Sequence, residues 1–204
     1  EEILKKRFGK DVFDHKTYVI AGDGCLMEGI SHEALSLAGH LKLKNLVMLF
    51  DNNSISIDGP TSLAVSDNFK KRFESYGWNY IEINGHNEKQ IFKTLKKVQK
   101  AKKPTVISCK TTIGYGSPNK SDTAGIHGAA VGEEEASLTR EFLNWEYPPF
   151  EIPNEVYSQF RQALTKGEEL EKKWDLKFEE YQKKYPSEGA ELKRMLNGEL
   201  PDNW

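Results

Sequence analysis

The residues best suited to chemistry stand at the ends of two β-rich runs. Gly22-Asp23-Gly24 follows the run at residues 17–21, and Asn52-Asn53 follows the run at residues 45–50. In an open parallel sheet, ligands bind beyond the carboxyl ends of the strands, so both motifs are expected at one edge. The glycines beside Asp23 let the backbone approach a phosphate, and a following helix would direct its N–H groups at that anion.

The polar side chains of these motifs are hard oxygen ligands. Asp23 would supply a carboxylate oxygen and Asn53 an amide oxygen, which suit Mg²⁺ or Ca²⁺ better than a softer metal. A cation that bridges these oxygens to a diphosphate is therefore predicted. Each motif alone has a structural alternative, a tight strand–helix turn for the first and an ordinary loop for the second. Their positions on consecutive strands favour the ligand site.

Two further residues are candidates on weaker grounds. His127 lies in a glycine-rich segment, residues 125–129, where close approach to a ligand is allowed. A lone loop histidine is usually a surface residue, and the residues alone leave that alternative open. Glu28 is a carboxylate in the first turn of a helix, where the helix dipole favours a negative charge.

Strands and helices alternate over the first part of the chain. The β-rich runs lie at residues 17–21, 45–50, 78–83 and 105–109, and helical periodicity lies at 28–41, 66–76 and 88–102. This alternation predicts an α/β fold with an open, mostly parallel sheet and helices on both faces. Ser66 or Asp67 is the expected N-cap of the second helix. The glycine-rich residues 111–132 predict a long functional loop, followed by a helix at 132–144.

Two regions follow from this organisation. Residues 1–150 are predicted to form a partial domain that binds the metal and the diphosphate. Residues 151–204 are predicted to form a helical extension, with two helices between Val156 and Tyr181 that pack on the same domain. Ile3, Leu4 and Phe8 resemble the end of a helix that has lost its beginning, so the sheet is expected to be incomplete at its N-terminal side, with an exposed edge.

Composition excludes several classes of function. The 204 residues include 29 basic and 31 acidic residues, a net charge of −2, which argues against a nucleic-acid-binding module. No stretch approaches the roughly 18 consecutive apolar residues of a membrane span. Cys25 and Cys109 are the only cysteines, so no disulfide framework is expected and the cytoplasm is the simplest setting.

Several long motifs resemble the transketolase family. They are GDGCLMEGISHEA at residues 22–34, DNNSISIDG at 51–59 and KTTIGYGSPNK at 110–120, and the resemblance continues through FEIP at 150–153. The first two include the thiamine diphosphate fingerprint that related enzymes share. The similarity corresponds to the latter part of the family's first domain, which binds the diphosphate of thiamine diphosphate.

The resemblance implies a role for each candidate residue. Asp23, the Asn53 side chain and the main-chain oxygen of Ile55 would bind Mg²⁺, and Gly24 and Asn53 would contact the diphosphate. His127 would contact the diphosphate and the sugar substrate near the reacting carbon. In the family, the glutamate that matches Glu28 lies at the subunit interface and links the two cofactor sites.

The implied activity is reversible transfer of a two-carbon ketol unit from ketose phosphates to aldose phosphates, in the pentose phosphate pathway. The complete enzyme would be a homodimer. Its missing segments would include the pyrimidine domain, whose glutamate activates the cofactor, so the isolated chain is expected to be inactive. Two alternatives stay open: a non-catalytic remnant or fragment, and a related thiamine enzyme such as dihydroxyacetone synthase.

Overall fold

The computed structural model describes residues 1–201 and 203–204. Its strands are β1 (Thr17–Gly22), β2 (Leu46–Asn52), β3 (Ile55–Ser56), β4 (Gly59–Pro60), β5 (Asn79–Asn84) and β6 (Thr105–Lys110). Its helices are α1 (Glu2–Phe8), α2 (Asp23–Met27), α3 (Gly29–His40), α4 (Phe69–Ser75), α5 (Glu88–Val98), α6 (Glu133–Phe142), α7 (Asn154–Lys184) and α8 (Pro186–Leu196). Short 3-10 turns lie at Thr61–Leu63 and Ala124–Ile126.

The chain divides into two compact units. One unit is Lys16–Glu146, and the other joins Glu1–His15 to Tyr147–Trp204. The predicted boundary at residue 150, and the packing of residues 151–204 on the α/β domain, stay predictions.

The first unit is built on the predicted parallel sheet. Its strand order is β1-β2-β6-β5, and every neighbouring pair is parallel. All four carboxyl ends therefore meet at one edge, which places Gly22 opposite Asp51 at the ends of β1 and β2. The predicted α/β fold is confirmed.

Helices cover the sheet on both faces because the central strands are apolar on both sides. On β2, Met48 and Phe50 face the core that α3 and α4 complete, with Phe73 fully buried in it. Val47 faces the other side, where Val98 of α5 packs against it. On β1, which is an edge strand, Ile20 is 78% exposed.

The second unit is helical, and it corrects one expectation. Its core joins Phe8 of α1 to Leu192 of α8, with Trp174 and Phe178 of α7 packed against them. The periodic residues from 156 to 181 lie in one helix of 31 residues, not in two. Helix α7 ends where residue 185 precedes a proline, since proline disfavours a helical conformation in the residue before it.

The structure also differs from the prediction at one helix N-cap and in its shortest elements. The N-cap of α4 is Asn68, whose side chain accepts a hydrogen bond from the Lys71 N–H at 2.9 Å. Asp67, one of the two predicted caps, instead pairs with Arg72 at 2.9 Å. Helix α2 and the β3–β4 pairing are too short for periodicity to indicate. Over the described residues, no helix combines the length and apolarity that a membrane crossing requires.

Candidate functional site

The carboxyl edge of the sheet borders a cavity of about 680 Å³. The end of β1, the turn after β2 and the loop after β6 contribute its walls. Five of the residues predicted from the sequence line it: Asp23, Gly24, Asn53, Ile55 and His127. The positions of Asp23, Gly24 and Asn53 agree with their prediction from the strand ends, whereas Ile55 was indicated only by the family resemblance and His127 by its glycine-rich loop and the resemblance.

Asp23 is the buried centre of this cluster, with only 3% of its surface exposed. Its Oδ2 accepts hydrogen bonds from the backbone N–H groups of Asn53 and Ser54, each at 3.1 Å. Its Oδ1 is buried and has no hydrogen-bond partner among the described residues. Burial raises the pKa of the Asp23 carboxyl, and the two N–H donors only partly oppose that rise. An unpaired buried carboxylate oxygen is costly, so it is a position where a cation would be stabilising.

The turn after β2 brings two more oxygens towards this cluster. Asn53 Oδ1 accepts a hydrogen bond from the Ile55 N–H at 3.0 Å, and a carbonyl oxygen retains a second lone pair. Ser54, between them, has a φ of 65°, which makes the turn tight. The Thr61 N–H donates to the Ser54 carbonyl at 2.9 Å, so Ile55 and Pro60 are a non-hydrogen-bonded pair of the β3–β4 ladder and that ladder does not use the Ile55 carbonyl.

These donors fit a hard divalent cation. No group of three or more His, Cys, Asp or Glu side chains within the described residues could hold a metal. Of the three carboxylates that line the cavity, Asp51 and Asp58 are exposed and Asp23 is buried, so the buried part of the site offers one carboxylate with neutral amide and carbonyl oxygens. Mg²⁺ is commonly held in this way, by one or two carboxylates together with the phosphates of a ligand.

The glycines after β1 leave space for such a ligand. A Cβ added at Gly22 or Gly24 would meet no heavy atom within 4 Å. Protein packing therefore does not require glycine at Gly24, and the open space on that side belongs to the cavity. The helix predicted to direct N–H groups at an anion is α2, which has only five residues.

His127 reaches the cavity from the loop after β6. The backbone N–H of His127 donates to the Ala124 carbonyl at 3.0 Å, and this bond closes the preceding 3-10 turn. The neighbouring Ile126 packs against Gly114, where a Cβ would lie 2.3 Å from the Ile126 Cδ1. A glycine with a φ of 64° at residue 114 is thus what lets the loop close on this wall.

Glu28 does not join this cluster. Its side chain is exposed and is not among the residues that line the cavity. It occupies the N-cap position of α3 without making a side-chain capping bond. The role that the resemblance implies for Glu28 stays a prediction.

One residue that orders the site loop belongs to no sequence motif. This residue is His86, in the turn after β5. Its Nε2 accepts the Thr112 N–H at 2.9 Å, and its ring stacks on Tyr115 with 4.2 Å between centroids. His86 thereby connects the turn after β5 to the start of the loop.

Comparison with known proteins identifies the family. Residues 3–201 match the family model described as "Transketolase, thiamine diphosphate binding domain". The chain belongs to this family. It is 52% identical over 209 residues to transketolase 1 of Pasteurella multocida and 51% identical over 208 residues to transketolase 1 of Vibrio vulnificus. Each alignment covers 100% of this chain and 31% of the relative, so the chain spans about a third of the length of these transketolases.

Solved transketolases have a similar structure. A mutant from Pichia stipitis in complex with fructose-6-phosphate matches with a TM-score of 0.90 and 38% identity, over 99% of this chain and 31% of the other. Transketolase from Campylobacter jejuni matches with a TM-score of 0.88 and 40% identity, over 95% and 30%. The resemblance noted in the sequence is confirmed. These relatives do not favour a non-catalytic remnant or dihydroxyacetone synthase.

Proposed function

We propose that this chain holds a divalent cation and the diphosphate of thiamine diphosphate for ketol transfer in a complete transketolase. The observation that carries the proposal is the buried, unpartnered Oδ1 of Asp23, a residue that lines the cavity together with Asn53 and His127. The family match supports thiamine diphosphate as the ligand.

Each residue has a defined task. Asp23, the Asn53 side chain and the Ile55 carbonyl would hold Mg²⁺, or Ca²⁺ in its place, which would supply positive charge beside the diphosphate. Gly24 contributes open backbone beside the phosphates, and Asn53 contacts them. When bound, thiamine diphosphate supplies the carbanion-stabilising chemistry of the reaction. This chain's share is therefore to bind and orient the cofactor.

His127 acts at the substrate end of the same cavity. Its imidazole donates a hydrogen bond to substrate oxygen as negative charge develops there, or moves a proton at that atom. Glu28 has a different task, because it lies away from the cavity. It contributes to the interface of a homodimer and links the two cofactor sites.

The substrates are ketose phosphates as donors and aldose phosphates as acceptors, in the pentose phosphate pathway. The Pichia stipitis structure in complex with fructose-6-phosphate supports this class. The other segments of a complete transketolase, including its pyrimidine domain, are the partners of this chain. A cytoplasmic setting is supported by the two free cysteines, Cys25 and Cys109.

Calorimetric titration tests the proposal. Thiamine diphosphate with Mg²⁺ is titrated into a full-length transketolase that contains these residues, as wild type and with Asp23→Ala. We expect the variant to lose Mg²⁺-dependent binding, because the only buried carboxylate of the cavity is removed. Asp58→Ala is the matched control, since Asp58 lines the same cavity but is exposed. Equal affinity in wild type and Asp23→Ala would reject the assignment.

A further inference from the structure

The loop that carries His127 is fastened at its base by one buried carboxylate. Glu135 lies in the first turn of α6 and is only 6% exposed. Its Oε1 accepts hydrogen bonds from the Ser117 hydroxyl and from the Asn119 N–H, the latter at 2.9 Å. Its Oε2 accepts a third hydrogen bond from the Asn119 side-chain amide at 2.9 Å. Both carboxylate oxygens are therefore used inside the protein.

These donors stabilise the charged form of the side chain. They lower the pKa of the Glu135 carboxyl to about 2, and the largest effect comes from the Ser117 hydroxyl. Glu135 therefore stays ionised near pH 4.5, where an ordinary glutamate is half-protonated.

A second bond closes the loop on its other side. The Lys120 Nζ donates to the Val131 carbonyl at 2.8 Å. Residue 120 is tied to Glu135 through the Ser117 hydroxyl oxygen, which accepts the Lys120 N–H at 3.3 Å. The segment 121–130 includes His127. Hydrogen bonds therefore connect both of its ends to Glu135, through Ser117 and Lys120.

The start of this segment is also held by hydrogen bonds from the Ser121 and Asp122 N–H groups to the Ser117 and Ile113 carbonyls, whereas the hydrogen bonds of residues 124–127 are local to the 3-10 turn. The segment contains Gly125 and Gly128, and a glycine loses more conformational freedom on ordering than any other residue. Its chief apolar anchor is Ile126 against Gly114. Fixing the two ends of the segment removes most of the conformations in which His127 points away from the cavity.

We propose that Glu135 is a positioning residue that clasps residues 117–120, and through Lys120 and Val131 holds His127 at the cavity wall. The clasp itself rests only on the contacts of Glu135. Its consequence for turnover rests on the role proposed above for His127.

Hydrogen exchange of a full-length transketolase that contains these residues, measured without cofactor, tests the clasp. We compare wild type with Glu135→Ala and Glu135→Gln. In Glu135→Ala, amide exchange in residues 113–131 should accelerate at least about tenfold, whereas β2 and β6 should be unchanged. Glu135→Gln should be intermediate, because its amide oxygen can still accept from Ser117 and the Asn119 N–H. Glu134→Ala is the matched control, since Glu134 is exposed one residue away.

Two results would overturn the proposal. One is exchange in residues 113–131 that does not differ between Glu135→Ala and wild type. The other is acceleration spread evenly over the loop and the strands in both Glu135 variants, which would assign Glu135 to general stability. If Glu135→Ala does not fold, Glu135→Gln decides between these outcomes by the same comparison of loop with strands.

The consequence for turnover is measured in a full-length transketolase that contains these residues. Glu135→Ala should lower kcat by about 10²-fold, as expected when a reacting group is misplaced by about an ångström, and leave the affinity for thiamine diphosphate within about threefold. Glu135→Gln should restore part of the loss. If Glu135→Ala accelerates exchange in the loop but leaves kcat normal, the clasp is supported and the proposed role of His127 in turnover is rejected. An unchanged loop would reject the clasp whatever the enzyme does.

Discussion

Replacing Asp23 by Asn separates two effects of its buried carboxylate, the cost to folding and the benefit to metal binding. The pKa of the Asp23 carboxyl is raised above its ordinary value of 3.8, chiefly by burial. Its contribution to stability is therefore present below pH 3.8 and is lost as the pH rises through the folded-state pKa. At neutral pH the charged side chain costs folding free energy. The Asn side-chain oxygen can still accept the N–H groups of Asn53 and Ser54.

The magnitude follows from the unpaired Oδ1. Leaving a buried polar atom unsatisfied costs about 1–3 kcal/mol, and more when the group is charged. Asn keeps an unsatisfied polar atom but loses the charge, so Asp23→Asn should stabilise the metal-free chain by about 1 kcal/mol. For a chain of this length, that gain raises Tm by about 2–4 °C.

Binding of Mg²⁺ and thiamine diphosphate should make wild type more stable than Asp23→Asn, the reverse of the order expected without ligand. Mg²⁺ with thiamine diphosphate at about 100 times its Kd stabilises a binding-competent protein by about 2.7 kcal/mol. That corresponds to about 5–11 °C in Tm for wild type, and we expect little change for Asp23→Asn because its metal ligand is gone.

Thermal melting with and without Mg²⁺ and thiamine diphosphate measures both effects. Asp58→Asn is the control, because it removes the same charge from an exposed position on the same cavity. The reasoning fails if metal-free Asp23→Asn melts below wild type. It also fails if ligand raises Tm equally in both proteins.

Three other changes have expected outcomes. His127→Ala should lower turnover of a full-length transketolase by about 10²–10⁴-fold and leave Tm unchanged, as steady-state kinetics and melting would show. Gly39→Ala should destabilise the chain by about 1–3 kcal/mol in urea unfolding, because its Cβ would lie 1.7 Å from the Tyr76 carbonyl oxygen, whereas Gly167→Ala, in open space, should not. Glu135→Gln should flatten the acid dependence of unfolding, because wild type loses stability from Glu135 as the pH falls from 4.5 towards 2.

The sheet could be predicted because its signals are local and redundant. The apolar run of β2 is continuous, as a strand covered on both faces requires, and Val47 and Phe50 are indeed both fully buried. Once the strands are parallel, the position of Asp23 and Asn53 near one edge follows from topology alone. The positions of Asp23 and Asn53 therefore needed no knowledge of side-chain packing, whereas Ile55 was indicated only by the family resemblance.

Other features depend on packing that the sequence does not encode locally. Asp67 and Asn68 are both good N-caps, and the choice between them depends on Arg72, which pairs with Asp67 and leaves Asn68 to cap α4. Glu135 is the third of three consecutive glutamates, and only the orientation of α6 against the loop selects it. His86 carries no motif, because its partner Thr112 is 26 residues away in the chain.

Asp23 and Glu135 show how one kind of side chain serves two different purposes in this domain. Both are buried carboxylates, yet burial raises the pKa of Asp23 while internal donors lower the pKa of Glu135. The difference lies in their oxygens. Glu135 has partners for both, so it gains nothing from a ligand and is suited to hold the loop. Asp23 has a partner for only one, so a cation supplies what the protein does not, and folding leaves this carboxylate unsatisfied where binding can satisfy it.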